Sequence, residues 1–215
     1  KTQEEINNSP HLSGTLTGDY IVRDVNNDGV INGDDKISKG TYTPDFTYGF
    51  GSNIAYNGFN FSFNFTGVSG RTLMDGDLAS LTESGEGFGV PTKYYFENRY
   101  HPVNNPNGFL GQPNFGNFSN SRKILRSSIV VKENNGDYIR LRDVRLAYNV
   151  QPKLLSQLSL KSLQVYVSGN NVFTKTDYRG WNPDGTSSDV LTSGYNDGSN
   201  YPVAKTFLMG LKISY

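Results

Sequence analysis

The sequence predicts an all-β chain of about five long antiparallel strands, forming part of the wall of a transmembrane β-barrel. Three observations carry this prediction. Apolar and polar residues alternate strictly over long segments. In "NGFNFSFNFTG", Phe59, Phe61, Phe63 and Phe65 interleave with Asn60, Ser62, Asn64 and Thr66, which is the period of a strand and not of a helix. No charged residue falls on the apolar parity of the best-defined strands, where one would cost roughly 2–4 kcal/mol at mid-bilayer. Short and long connections alternate along the chain, the asymmetry of a barrel with turns on one side of a membrane and loops on the other.

Composition agrees. Among 215 residues there are 14 Tyr, 13 Phe and 24 Gly, against one Trp and two Met, and 35% are hydrophobic. Many aromatics and glycines with few aliphatics suit strands and turns. Lys+Arg and Asp+Glu balance at 20 each, so no global field draws the chain to nucleic acid. No apolar run approaches the roughly 18 residues of a transmembrane helix. The opening "KTQEEINNSP" has no apolar core of a signal peptide and reads as the middle of a loop, so the chain is expected to start inside a longer protein. Cysteine is absent, which excludes disulfides and thiolate metal sites and leaves the compartment open.

The elements follow in order. Residues 1–44 are polar and read as a loop. "DFTYGFGSNIAY" is the first strand, with Phe46, Tyr48, Phe50, Ile54 and Tyr56 on one parity. Asn57-Gly58 closes a tight hairpin, because type I′ turns need positive φ. The Phe59–Gly67 strand follows. A long irregular connection over 71–135 reads as a functional loop. In "DYIRLRDVRLAYNVQP", Val144, Leu146, Tyr148 and Val150 share a face while Ile139 and Leu141 have the opposite parity, so a bulge is expected near Arg142-Asp143. Residues 151–161 are a short connection into "LQVYVSGNN", with Leu163, Val165 and Val167 on one face. A second long polar segment spans 174–202. "KTFLMGLKISY" closes the chain.

Alternation alone also fits a soluble sandwich. Strand length argues for the barrel. About 11 residues at roughly 3.3 Å each span about 36 Å, which on tilting by about 40° matches the roughly 25 Å apolar band of an outer-membrane barrel. Lys212 and Arg145 fall on the other parity, where a wet lumen hydrates them.

Three segments, "DFTYGFGSNIAYNGFNFSFNFTGVSG", "DYIRLRDVRLAYNVQPKLL" and "LQVYVSGNNVFTKTDYRGWNPD", together with the preceding "DVNNDGVINGDD", resemble the C-terminal part of SusC/RagA-type TonB-dependent transporters of Bacteroidetes outer membranes. The resemblance implies a fragment of a barrel of about 22 strands in the complete protein. It implies uptake of oligosaccharides or peptides with a SusD-like surface lipoprotein and the TonB complex, the latter through a missing N-terminal part. On this basis 1–44, 71–135 and 174–202 are extracellular, 45–215 supplies barrel strands set in outer-membrane lipid, and the C-terminus is periplasmic. Phe207, Met209, Leu211, Ile213 and Tyr215 are similar to the terminal signal by which such barrels are recognised for assembly. The alternative is a soluble calcium-stabilised β-sandwich that binds carbohydrate or a cell surface.

"DVNNDGVINGDD" fits a Ca2+ loop: Asp24, Asn26, Asp28, the Val30 carbonyl, Asn32 and Asp35 supply oxygens at alternate positions, with Gly29 at the sharp turn. Asp35 stands where a typical loop of this kind has Glu, and an Asp/Asn-rich turn that needs no ion is the competing reading. Tyr94, Tyr95, Tyr100 and Trp181 are candidates for contact with ligand or partner; packing of loop against loop is the favoured competing reading. No enzyme is read here. His11 and His101 are isolated, "GEGFG" (85–89) lacks the residues of a phosphate loop, and no acid/base pair emerges beyond Asp34-Asp35 in the ion loop.

Overall fold

The computed structural model describes residues 2–38, 40–75, 93–112, 133–156, 159–178, 180–184, 195–196 and 202–215. Parts of both long connections, with the 85–89 glycine motif, lie outside these. The chain divides into two compact units.

One unit is a five-stranded sheet in the order β1 (Phe46–Tyr56), β2 (Phe59–Ser69), β5 (Tyr138–Asn149), β6 (Ser162–Thr176), β8 (Thr206–Ser214), every pair antiparallel. The hairpin forms as expected: Asn57 has φ 45° and Gly58 φ 85°, and a Cβ on Gly58 would stand 2.9 Å from the Asn149 carbonyl oxygen. The bulge also falls where the parity switch put it. Register shifts between Leu141 and Asp143 against β6, and between Asn64 and Phe65 against β5. One extra residue on β5 thereby returns Ile139 and Leu141 to the apolar face.

Two features differ from the sequence reading. β6 is 15 residues long and runs to Thr176, because the polar "NNVFTKT" still pairs with β5 across Leu141–Phe173 and Tyr138–Thr176. The 151–161 connection contains one helical turn, Pro152–Leu155, with Pro in the first turn and Leu155 buried, the position where a missing N–H costs nothing.

The other unit gathers residues 1–40, 73–134 and 186–199. It holds the short helix Gln3–Asn7, where a mid-loop was expected. Thr2 and Glu5 form a reciprocal capping box, satisfying two main-chain donors of the first turn. A second helix, Lys93–Asn98, follows. A small sheet orders β4 (Glu133–Asn135), β3 (Thr72–Asp75) and β7 (Tyr195–Asn196), with β3 and β7 parallel. Ile6, Leu73, Tyr95, Tyr100 and Leu110 are buried there.

Candidate functional site: two chemically opposite faces of one sheet

Directly opposed residues share a sheet face, so the register assigns every row. On one face run Tyr56–Phe59–Tyr148–Val165–Leu211, Ile54–Phe61–Leu146–Val167–Met209 and Phe50–Phe65–Leu141–Phe173. Rings stack across and along strands, Phe50 on Phe65 at 5.0 Å and Phe59 near Tyr148 at 4.6 Å. The other face carries Gly51–Asn64–Asp143–Asn170–Thr206 and Asn53–Ser62–Arg145–Ser168. Val68, Tyr138, Tyr166 and Leu208 are large apolar or aromatic members of this face.

The apolar face is not a core of this chain. Phe46, Phe207 and Met209 are 70%, 72% and 78% exposed, and Phe50, Ile54, Phe59, Leu211 and Ile213 are also exposed. A sandwich would bury these side chains beneath a second sheet; among the described residues no such layer covers them. Lys175, opposite Ile139, is a cation on the apolar parity that the shorter predicted strand had left in a loop. It sits in the last rows at the long-connection end, where a charge costs only about 0–1 kcal/mol in such barrels.

At that same end a polar clamp orders the sheet rim. Arg140 is 2% exposed. Its guanidinium donates to Thr174 Oγ1 at 2.9 Å, to Asn182 Oδ1 at 3.1 Å and to Asp184, with which it forms an ion pair. Arg71 donates to the carbonyls of Pro183 and Gly136, and Asp137 accepts from Ser69 Oγ and the Arg71 main chain. A charged strand residue followed 42 residues later by an Asn-Pro-Asp turn is the visible sequence signal, but it does not reveal pairing. Residues 180–184 are thus tied to the sheet, with Trp181 left 67% exposed.

The predicted contact aromatics separate. Tyr95 and Tyr100 are 2% and 7% exposed; the Tyr95 hydroxyl donates to the Gly111 carbonyl at 2.9 Å. In this conformation both side chains pack inside their own unit, in line with the loop-against-loop reading. Tyr94 is half-buried and meets the Phe109 ring edge-on at 6.3 Å. Trp181 alone of the four is an exposed ring.

The 24–35 loop is closed by its own side chains. Asp24 accepts from the main-chain N–H of Asn27 and Gly29, Asp28 from that of Val30, and Asp35 from Val25 and Asn32. Donation from Asn32, then from Val25, holds the Asp35 carboxyl below its usual range. Gly29 has φ 84°. The donor set is chemically suited to Ca2+. In this conformation the carboxylates face main-chain donors, and among the described residues no three acidic or histidine side chains converge to hold an ion.

A sheet with one exposed, aromatic-rich apolar face, one polar face, a tight turn and a short connection at one end and long connections at the other is a section of β-barrel wall. No family model matches the chain. Over its whole length it is 31% identical to TonB-dependent receptor P26 of Formosa agariphila, of which it covers 21%. Over 97% of its length it is 29% identical to TonB-dependent receptor P3 of the same organism, of which it covers 20%. Its fold is similar to a chain of the RagAB peptide transporter, with a TM-score of 0.66 at 20% identity, over 87% of this chain and 19% of that one. The RagAB peptide importer in its open-open state gives 0.63 over the same shares. The chain is a relative of the TonB-dependent receptors and spans about a fifth of their length. The resemblance drawn from its motifs is met in sequence by the TonB-dependent receptors and in fold by the RagAB chains.

Proposed function

We propose that this chain is the C-terminal wall section of a TonB-dependent outer-membrane nutrient importer that works with a SusD-like lipoprotein. The observation that carries the reading is the exposed apolar face: five strands of alternating sequence with no covering layer among the described residues require a nonaqueous surround. Lipid supplies it. Burying each Phe of β2 in lipid stabilises the wall by roughly 1.5–3 kcal/mol, and Asn60, Ser62, Asn64 and Thr66 then line the lumen. The tight turn Asn57-Gly58 and the 151–161 connection are periplasmic, with residues 1–44 and the long connections extracellular. In β8 and Tyr215, five alternating side chains from Phe207 onward stand exposed on one face and serve as the barrel-assembly signal. Cargo is an oligosaccharide or a peptide, and the peptide importers among the fold neighbours favour the peptide.

The test is to express the complete gene product and follow residues 1–215. Heat-modifiable mobility in detergent-extracted outer membranes, with this segment protease-resistant there, is expected. A folded segment in the aqueous fraction would return the apolar face to a protein core and favour the sandwich.

We further infer one structural Ca2+ in the 24–35 loop, held by Asp24, Asn26, Asp28, the Val30 carbonyl, Asn32 and Asp35 and supplying rigidity alone. The spacing of oxygen donors and the open, left-handed Gly29 support it. Chelation is then expected to expose the loop to protease in wild type and to change nothing in Asp28→Ala. Equal cleavage with and without chelator would leave the loop standing on its own hydrogen bonds.

A further inference from the structure

Charge is distributed unevenly over the sheet unit. Among its described residues, Asp45, Asp137, Asp177 and Asp184 lie at the long-connection end, and Asp143 lies in mid-sheet, bonded to Asn170. The half toward the short turns carries Arg145, Lys153, Lys161 and Lys212 and no acidic side chain.

Two of these cations share the polar face and one neighbour. Arg145 is one row from Asp143 and turns away from it. Its guanidinium lies over the Tyr166 ring at 4.2 Å, and its Nη2 donates to Gln164 Oε1 at 3.0 Å. Gln164 donates in turn to Asn149 Oδ1 at 2.7 Å and is the register partner of Lys212. Lys212, Gln164, Asn149 and Lys161 line an open cavity of about 560 Å3 whose walls contain no carboxylate. One guanidinium N–H is used by Gln164, and the planar fork keeps donors for a bidentate anion.

We propose that Arg145 and Lys212, set about Gln164, form a carboxylate-binding site on the polar face, occupied by the acidic side chain of a peptide in transit. The inference rests on the importer reading. Charge complementarity selects an anion: the cavity at Lys212 has no carboxylate in its walls, and Arg145, outside that lining, reaches it through Gln164. Both cations stand on the polar face of the sheet, opposite the apolar one, which favours an anion in the lumen over a lipid phosphate. The Asn149 amide N–H group, beside Gln164, suits a carbonyl of a peptide main chain.

The test uses the full-length receptor purified from outer membranes and two fluorescent peptides, one with Glu residues and one with Gln in their place. Wild type is expected to bind the Glu peptide about tenfold more tightly, as one charge-assisted hydrogen bond implies. The Arg145→Gln/Lys212→Gln variant should bind both with the weaker affinity, and Arg145→Lys/Lys212→Arg should keep the preference. Equal affinities in wild type, or loss of both peptides in the neutral variant, would overturn the site while leaving the importer intact. A wild-type receptor that is heat-modifiable yet binds neither peptide would remove peptide cargo, and this site with it.

Discussion

The two units use aromatic residues in opposite ways. In the unit containing the N-terminal segment, Tyr95 and Tyr100 are buried at 2% and 7%, as are Leu73 and Leu110, and the Tyr95 hydroxyl finds a carbonyl. That is the ordinary economy of a water-soluble core, where ring area is hidden and each polar tip is satisfied. In the sheet unit, Phe46, Tyr56, Phe207 and Met209 are at least 70% exposed, while the side chain most completely buried is the cation Arg140. Apolar outside and charge inside is the inverse arrangement. It is stable only where the surround is lipid and the polar groups meet each other or a wet lumen.

Four substitutions probe this inversion in the full-length receptor. The largest effect is expected from Phe63→Lys, which places a cation on the lipid face at about 2–4 kcal/mol and forfeits the burial of a ring. Loss of heat-modifiable barrel from the outer membrane is the readout, and Asn64→Lys one residue away should assemble normally. Equal tolerance of the two would break the assigned polarity. Next, Asp184→Ala leaves Arg140 buried without its counterion, at about 3 kcal/mol; limited proteolysis should then cut near 180–184, and uncut wild-type-like protein would mean the pair contributes little. Gly58→Val forces a β-branched residue into φ 85° beside the Asn149 carbonyl, costing about 1–2 kcal/mol, seen as a lower unfolding temperature of the barrel. The smallest change is Tyr95→Phe, which removes one buried hydrogen bond at about 1 kcal/mol. It should raise protease sensitivity around 93–112 without altering membrane assembly. Reduced assembly would show that this tyrosine matters to the wall.

Much of the sheet was legible because its information is local. Alternation gives parity, Asn57-Gly58 gives the turn, and the parity switch between Leu141 and Val144 gives the bulge without any knowledge of the partner strand. What escaped is nonlocal or short. Nothing in "NNVFTKT" announces that β6 continues, since its pairing comes from β5 across a bulge. The helix at Gln3–Asn7 is only a turn and a half, and its Thr2/Glu5 capping pair is easily lost in a polar segment. Tyr95 and Tyr100 look identical to exposed loop aromatics because their neighbours lie elsewhere in the chain: the Tyr95 hydroxyl meets the Gly111 carbonyl and the Tyr100 ring lies close to Gly18. The candidate site divided in the same way: Arg145 and Lys212 were assigned to the polar face from parity, whereas their shared neighbour Gln164 appears only once β5, β6 and β8 are in register.

The central claim is that the Phe59–Phe65 face meets lipid. This chain has no cysteine, so single Cys substitutions from residue 59 to 66, with any cysteine elsewhere in the receptor replaced, can each carry an environment-sensitive fluorophore in the receptor reconstituted into vesicles. The account predicts quenching by a lipid-borne quencher at 59, 61, 63 and 65 and by a water-soluble one at 60, 62, 64 and 66. A response that does not alternate, or one in which the odd positions are reached by neither quencher, would contradict it and place a protein layer over the phenylalanines.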